Sequence, residues 1–150
     1  MTTDRARRVA GLVLVALAVA LGGCGDSAED QYKEDAQAII DPMRATLNST
    51  NERVAAAQNL QQRIAALDKT RRALDTAARK LGRLDPPEDA KAAHQNFIRE
   101  LRKLAGDIRA YARAANGNAP RAVRRSLDAM RSDTAGLKAA ITALKDKVDD

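Results

Sequence analysis

The sequence predicts an all-α protein, an antiparallel up-down-up-down four-helix bundle. Apolar residues recur in alternating steps of four and three along most of the chain, which is the spacing that aligns them on one face of a helix. Charged residues make up 31% of the 150 residues, alanine about a fifth and aromatic residues 2%. That composition is typical of long helices and excludes a β-sandwich or barrel. Turn signals divide the pattern into helices of similar length joined by short loops, as in a bundle.

The N-terminal 23 residues have the features of an export signal and not of a bundle helix. Arg5, Arg7 and Arg8 form a basic region, and an uncharged apolar run of 13 residues follows at 9–21. A helix needs roughly 20 apolar residues to span a membrane, so this run is too short to do so. Its length matches the apolar core of a signal peptide, about 7–15 residues. The fold class is therefore a four-helix bundle after an N-terminal signal peptide.

The apolar run ends in Leu21-Gly22-Gly23-Cys24, which resembles the lipobox of bacterial lipoproteins. The resemblance implies that signal peptidase recognises Leu21, Gly22 and Gly23 and cleaves before Cys24. It also implies that the Cys24 thiol carries a diacylglyceryl group and that fatty acyl groups complete the anchor. Two or more chains give stable membrane attachment. An ordinary secretory signal, an uncleaved anchor and export through the Arg7-Arg8 pair are the alternatives.

The predicted export signal and lipobox divide the chain into a signal peptide (1–23), a lipidated cysteine with its tether (24–27) and a helical bundle (28–150). The formal net charge is +6, and residues 1–23 hold three Arg and one Asp, so the mature chain has +4. The chain has one Cys and one His, which excludes an internal disulfide and a Cys/His zinc site within one chain.

The first half of the bundle carries one long apolar stripe that must contain a turn. A single helix over 28–84 would be about 85 Å long and could not pack along its length against helices half as long. The turn lies either at 57–59, which gives helices of matched length, or at 48–51, where Ser49 and Glu52 form a capping box. Pro42 removes one backbone donor, so we expect it to kink or break the first helix.

The second half predicts two further helices. Asp85-Pro86-Pro87-Glu88 combines a capping Asp with a Pro at the first helical position, so the third helix should begin there and end at Asn116-Gly117. Asn118 is the candidate N-cap of the fourth helix. The third helix carries the stripe Ala90, His94, Phe97, Leu101, Leu104, Ile108, Tyr111 and Ala115. The fourth carries the stripe Val123, Leu127, Met130, Thr134, Leu137, Ile141, Leu144 and Val148.

The bundle region as a whole resembles the small, Ala-rich helical lipoproteins of high-GC Gram-positive bacteria. The most recognisable piece is the turn Leu84-Asp85-Pro86-Pro87, followed by Ala93-His94. This resemblance implies no activity.

No residue pattern predicts catalysis or a bound cofactor. His94, the only histidine, has no nucleophile motif to serve, so we expect it to hydrogen-bond to a neighbouring helix or loop. The chain lacks the Glu-x-x-His pairs of di-iron bundles, and Met43 and Met130 lie on apolar stripes and should be core. Basic residues without neighbouring stacking aromatics argue against nucleic acid. We therefore predict no enzyme, no metal and no cofactor beyond the lipid on Cys24.

One group of arginines is the candidate contact for a partner. Arg121, Arg124 and Arg125 crowd the start of the fourth helix, where the helix dipole disfavours cations. Arg113 lies just before the preceding turn. We expect these four residues to form a patch for an anionic wall polymer or envelope protein.

The sequence therefore predicts a lipid-anchored, extracytoplasmic protein with a binding or accessory role. A sensor that stores a small apolar molecule is one alternative, and it requires an internal pocket of several hundred Å³. A self-assembling spacer is the other, and it requires an exposed apolar stripe, which we would expect around Ile39 and Ile40.

Replacing Cys24 with Ser or Ala should leave an uncleaved precursor without lipid, because the thiol that accepts the diacylglyceryl group is gone. Metabolic labelling with a radioactive fatty acid, followed by electrophoresis, measures both lipidation and cleavage. Normal labelling of the variant would contradict the lipobox interpretation.

Overall fold

The computed structural model describes residues 28–149, in which all regular structure is helical. There are four helices, α1 (Ala28–Ala56), α2 (Leu60–Leu81), α3 (Lys91–Asn116) and α4 (Pro120–Asp149). The predicted all-α class and helix number are confirmed. The predicted signal peptide, Cys24 and its tether lie outside the described residues.

The first turn lies at 57–59, one of the two positions that the sequence allows. Asn59 has an extended backbone, and its side-chain oxygen accepts a hydrogen bond of 2.9 Å from the backbone N–H of Gln62. The Gln62 side chain reaches back to accept a 2.8 Å bond from the backbone N–H of Gln58. Two N–H groups that α2 itself cannot pair are thereby satisfied, which stabilises the helix start.

Helix α1 runs through Pro42 without a break. Of the kink or break expected at this proline, the break does not occur. Pro42 and Ala38 are both exposed, so water can reach the Ala38 carbonyl that loses its N–H partner. The Thr46 hydroxyl donates a 3.0 Å bond to the Pro42 carbonyl one turn further on.

The predicted start of α3 is wrong. The helix begins at Lys91, with Ala90 at its N-cap, whereas 85–87 are irregular and 88–90 form a turn. Two consecutive prolines explain the difference, because a residue that precedes proline is pushed out of the helical region. Pro86 therefore cannot open a helix that continues through Pro87. The chain becomes helical only after the turn bonds from Ala90 to Pro87 (3.0 Å) and from Lys91 to Glu88 (3.4 Å).

The turn between α3 and α4 is closed by Asn118, which therefore does not cap α4. Asn118 has φ 49°, in the left-handed region, whereas Gly117 has φ −82°. The Ala119 N–H bonds to the Ala114 carbonyl (3.0 Å) and the Asn118 N–H to the Ala115 carbonyl (3.2 Å). These two bonds define a Schellman motif, in which asparagine takes the place that glycine usually holds.

The core is centred where α2 and α3 meet. Its largest fully buried side chains are Leu74 and Leu81 of α2 and Phe97 and Leu101 of α3. The α3 stripe is buried from Ala90 through Tyr111, as predicted. Met43 and Met130 are buried too, which confirms that they belong to the core.

The buried face of α4 is rotated from the predicted stripe. Leu127, Thr134 and Ile141 of that stripe are only partly buried. The buried residues of α4 are Ser126, Met130, Asp133, Leu137, Ala140 and Leu144, which keep the same alternation of steps. Helix α4 therefore turns a face containing Ser126 and Asp133 into the core and leaves part of its apolar stripe at the edge.

Consecutive helices pack on one another, α1 on α2, α2 on α3 and α3 on α4. The hydroxyls of Thr50 and Thr70, both buried, lie 2.6 Å apart and join α1 to α2. Helix α4 approaches α3 closely at Gly136, where an added Cβ would lie 2.8 Å from a carboxylate oxygen of Glu100.

Replacing Asn59 with Ala should lower the free energy of unfolding by about 1 kcal/mol, because the Gln62 N–H loses its cap. Urea denaturation followed by circular dichroism measures the change. Ser49→Ala is the matched control. Ser49 would be the cap if the turn lay at 48–51, but it lies inside α1, so its replacement should change stability by less than about 0.5 kcal/mol. The opposite ranking would contradict the position of the turn.

Candidate functional site

Three of the four arginines in the predicted patch come together at the start of α4. Arg121, Arg124 and Arg125, with Pro120, line one open surface depression. All three arginines are exposed, and no carboxylate of the described residues pairs with them. We call Arg121, Arg124 and Arg125 the arginine patch.

Arg113 does not line that depression. It lies in the last turn of α3, where a cation is favoured by the dipole of its own helix. The arginine patch has no such explanation, because the first turn of α4 contains no acidic residue and already carries the positive end of the dipole. The unfavourable local field means that helix stability does not account for these three charges.

The residues of the predicted lipid anchor, Leu21, Gly22, Gly23 and Cys24, lie outside the described residues. Within 28–149, no helix combines the length and the apolar character that crossing a membrane requires.

His94 joins three helices, as the hypothesis of a structural histidine requires. Its Nε2 lies 3.1 Å from the Leu81 carbonyl at the end of α2, and its Nδ1 lies 2.7 Å from the Tyr32 hydroxyl on α1. Because a carbonyl only accepts, Nε2 carries the proton and Nδ1 accepts from Tyr32. Both nitrogens are engaged, which leaves neither to take a proton from a substrate in this arrangement.

Burial controls the ionisation of this pair. Desolvation lowers the pKa of His94, an effect that the hydrogen bond to Leu81 partly offsets. Desolvation also raises the pKa of Tyr32 to about 12. Both side chains are therefore neutral at pH 7, which suits their place among apolar residues.

A cluster of charged residues lies between α3 and α4. The Lys103 ammonium is 2.7 Å from the carboxylate of Asp133, which is 5% exposed, and 3.9 Å from that of Glu100. Asp107, one turn further along α3, has a buried oxygen (Oδ2) without a hydrogen-bond partner among the described residues. Burial of its carboxyl, and then the nearby Asp133, raise the pKa of Asp107 to about 6 against the opposing effect of Lys103.

The sequence pattern does not predict this cluster. The one signal was that Asp133 precedes Thr134, a polar residue on the apolar stripe of α4. Only the rotation of α4 against α3 brings Asp133 inside and opposite Lys103.

A shallow apolar groove runs between α1 and α4, with the fully buried ring of Phe97 at its base. Its volume is about 80 Å³. The sequence pattern does not predict this groove either, because its walls come from helices that are far apart in the chain.

In the described part of the chain, no group of three or more His, Cys, Asp or Glu side chains is placed to hold a metal ion. No family model, curated protein or solved structure matches the chain.

Replacing Asp107 with Asn should stabilise the protein at pH 7 by about 1 kcal/mol. The folded-state pKa of Asp107 lies above the unfolded value of 3.8, so the folded state holds a proton that the unfolded state releases. Its favourable contribution is complete below pH 3.8 and is lost as the pH rises through about 6. The full shift corresponds to about 3 kcal/mol, which we reduce because the carboxyl is partly exposed.

Urea denaturation at several pH values tests this prediction. Wild type and Asp107→Asn should be similar near pH 4 and separate by pH 7. Asp128→Asn is the control, since Asp128 is exposed on α4 and its replacement should give no such separation. A stability difference for Asp107→Asn that is the same at pH 4 and pH 7 would refute the raised pKa.

Proposed function

We propose that this protein is a bacterial lipoprotein, held outside the cytoplasmic membrane by lipid on Cys24. In this proposal its helical bundle presents the arginine patch to an anionic envelope component and catalyses no reaction. The sequence Leu21-Gly22-Gly23-Cys24, after a basic region and a short apolar run, supports the anchor. Exposed arginines without carboxylate partners support the anionic contact.

We further propose that the four helices run up, down, up and down. Tyr32 and Leu81 both bond to His94, so the start of α1, the end of α2 and the start of α3 lie together. At the opposite end, Gln61 near the start of α2 lies 3.5 Å from Asn116 at the end of α3. These contacts, and the packing of each helix on the next, favour the antiparallel arrangement.

This arrangement places the arginine patch at the end of the bundle away from the anchor. The chain leaves Cys24 and enters α1 at Ala28, near the end marked by His94. The arginine patch follows the turn after α3, and the 26 residues of α3 extend about 40 Å. An anionic polymer beyond the membrane could therefore reach the patch without approaching the lipid surface.

The observation that carries the proposal is the location of three unpaired arginines at a helix N-terminus. Their guanidinium groups repel one another and the positive end of the α4 dipole, so they raise the free energy of the isolated protein. An anion with several negative charges would relieve this repulsion and could accept paired hydrogen bonds from each guanidinium.

The two alternative functions find less support in the described residues. A sensor requires a pocket of several hundred Å³, whereas the groove between α1 and α4 holds about 80 Å³. A self-assembling spacer requires an exposed apolar stripe. Ile39 and Ile40 pack against the core. Among residues 28–148, Leu60 is the one large apolar side chain that is well exposed, at 40%.

Replacing Arg121, Arg124 and Arg125 with Gln should weaken retention on isolated anionic wall material about tenfold near 0.1 M salt. Each exposed ion pair contributes up to about 1 kcal/mol, and salt screens it. Cosedimentation across a salt series measures retention. The variant should stay folded, since it loses charges that disfavour the start of α4.

The matched control removes three positive charges elsewhere, with Lys80, Arg83 and Arg102 replaced by Gln. All three are exposed, and none makes an ion pair with the described residues. The proposal fails if the two triple variants lose retention equally, because net charge alone would then explain it.

A further inference from the structure

Helix α4 is held on the bundle chiefly through one neighbour. Within residues 28–149, α2 packs on both α1 and α3, and α3 packs on both α2 and α4, whereas the extensive packing of α4 is on α3 alone. Helix α1, at the other edge, has a second attachment through the bond between Tyr32 and His94 of α3. The stability of the interface between α3 and α4 therefore determines how often α4 leaves the bundle.

That interface brings two carboxyl groups, Asp107 of α3 and Asp133 of α4, against one ammonium group. Lys103 lies 2.7 Å from the carboxylate of Asp133 and 3.9 Å from that of Glu100, which also has Arg99 at 4.0 Å. Asp133 is almost completely buried, whereas the Lys103 side chain is 55% exposed, so water screens its charge. One screened ammonium group does not neutralise both Asp107 and Asp133 when the two are ionised.

The charges on the neighbouring faces do not correct this imbalance. Asp133 and Lys103 are the charged groups of residues 28–149 that affect the pKa of Asp107. Other charged groups of α2, α3 and α4 are paired with one another, namely Asp75 with Arg71 (2.9 Å) and Arg109 (3.5 Å), and Asp128 with Arg131 (3.5 Å). The charge balance at Asp107 is therefore set by Asp107, Asp133 and Lys103.

A proton on Asp107 removes the imbalance. Its Oδ2 is buried without a hydrogen-bond partner among the described residues, and its carboxyl group can share a hydrogen bond with that of Asp133. Carboxylates only accept, so this bond exists only when one of the two groups is protonated. Burial, followed by this bond and the charge of Asp133, raises the pKa of Asp107 to about 6 against the effect of Lys103. Protonated Asp107 therefore holds α4 through Asp133, whereas ionised Asp107 repels it.

We propose that α4 is a pH-sensitive helix, held on α3 when Asp107 is protonated and released more often when Asp107 is ionised. The closed form keeps a proton that the open form gives up to water, so a rise in pH from 5 to 7 favours opening. Opening uncovers Met130, Leu137 and Leu144, which are otherwise buried. It also frees the arginine patch from its fixed position, because the patch begins the same helix. The inference depends neither on the lipid anchor nor on what the patch binds.

Native-state hydrogen exchange, followed by mass spectrometry, tests the proposal on the full chain with Cys24→Ser, to which no lipid is attached. Protection factors are compared, since they correct for the intrinsic pH dependence of exchange. Amides of α4 should be less protected than those of α2 and should respond less to low urea concentrations, as expected of local opening.

The protection of α4 should fall about fivefold between pH 5 and pH 7. Values of about 6 for the pKa of Asp107 in the closed form and 3.8 in the open form would give about tenfold, and partial exposure of the carboxyl reduces this.

Three variants identify the group responsible. Asp107→Asn should remove the fall in α4 protection between the two pH values, because an amide does not titrate in this range. Asp133→Asn should reduce the fall, because the shared bond and the neighbouring charge are lost. Glu100→Gln is the matched control, since it removes a carboxyl group of the same interface that does not affect the pKa of Asp107. It should keep the full fivefold fall.

Two kinds of result would overturn the proposal. Equal protection of α4 and α2, with equal responses to urea, would mean that the helices open together. A fall in α4 protection that Asp107→Asn leaves unchanged, or that Glu100→Gln removes as completely, would mean that Asp107 is not the responsible group. Each variant is compared with itself at two pH values, so a uniform loss of stability does not imitate either result. If Asp133→Asn does not fold, as judged by circular dichroism, Asp107→Asn and Glu100→Gln still decide the outcome.

Discussion

The structure depends on burial of the apolar face of α3. This helix supplies Phe97 and Leu101 to the fully buried core, and it packs on both α2 and α4. It also contacts α1 through the bond between His94 and Tyr32. A core with so few aromatic rings has little apolar area to spare, so the helix that touches all the others sets their positions. Helices α2 and α4 find their registers on its surface, and α1 packs on α2.

Several polar groups inside the bundle join different helices. His94 connects α1, α2 and α3, the hydroxyls of Thr50 and Thr70 connect α1 to α2, and Lys103 with Asp133 connects α3 to α4. Each of these groups gains a partner that compensates for its loss of water. Asp107 is the exception, with one buried oxygen that lacks a partner among the described residues, and burial together with the nearby Asp133 raises its pKa. Such bonds form fully only in one arrangement of the helices, so they select that arrangement among similar apolar packings.

The arginine patch and the groove between α1 and α4 have opposite chemical character and lie on different parts of the molecule. The arginine patch is charged, exposed and placed at the start of α4, whereas the groove is apolar and lies between α1 and the end of α4. The first suits a hydrated polyanion, whereas the second is an apolar surface whose walls are partly buried.

The sequence by itself determined the helices, because the spacing of apolar residues and the capping residues act within a few turns of chain. It predicted the α3 stripe, the core methionines, a structural role for His94 and a turn at 57–59 or 48–51. The predicted start of α3 at Pro86-Pro87 was wrong, because Pro87 disfavours a helical backbone at Pro86 and this effect outweighs the capping pattern. The prediction for Asn118 was also wrong, because this residue closes α3 and does not open α4.

Only the tertiary structure decided which face of α4 is buried. Sequence periodicity locates an apolar stripe on α4. A face shifted by one residue at alternate positions keeps the same spacing, so periodicity does not exclude it. Packing against α3 selected the face that contains Asp133 and Ala140. That rotation created the charged cluster with Lys103 and left the groove beside α1. Both features join residues that are distant in the chain. Contacts of this kind depend on how the helices are oriented against one another, and the local spacing of residues does not encode that orientation.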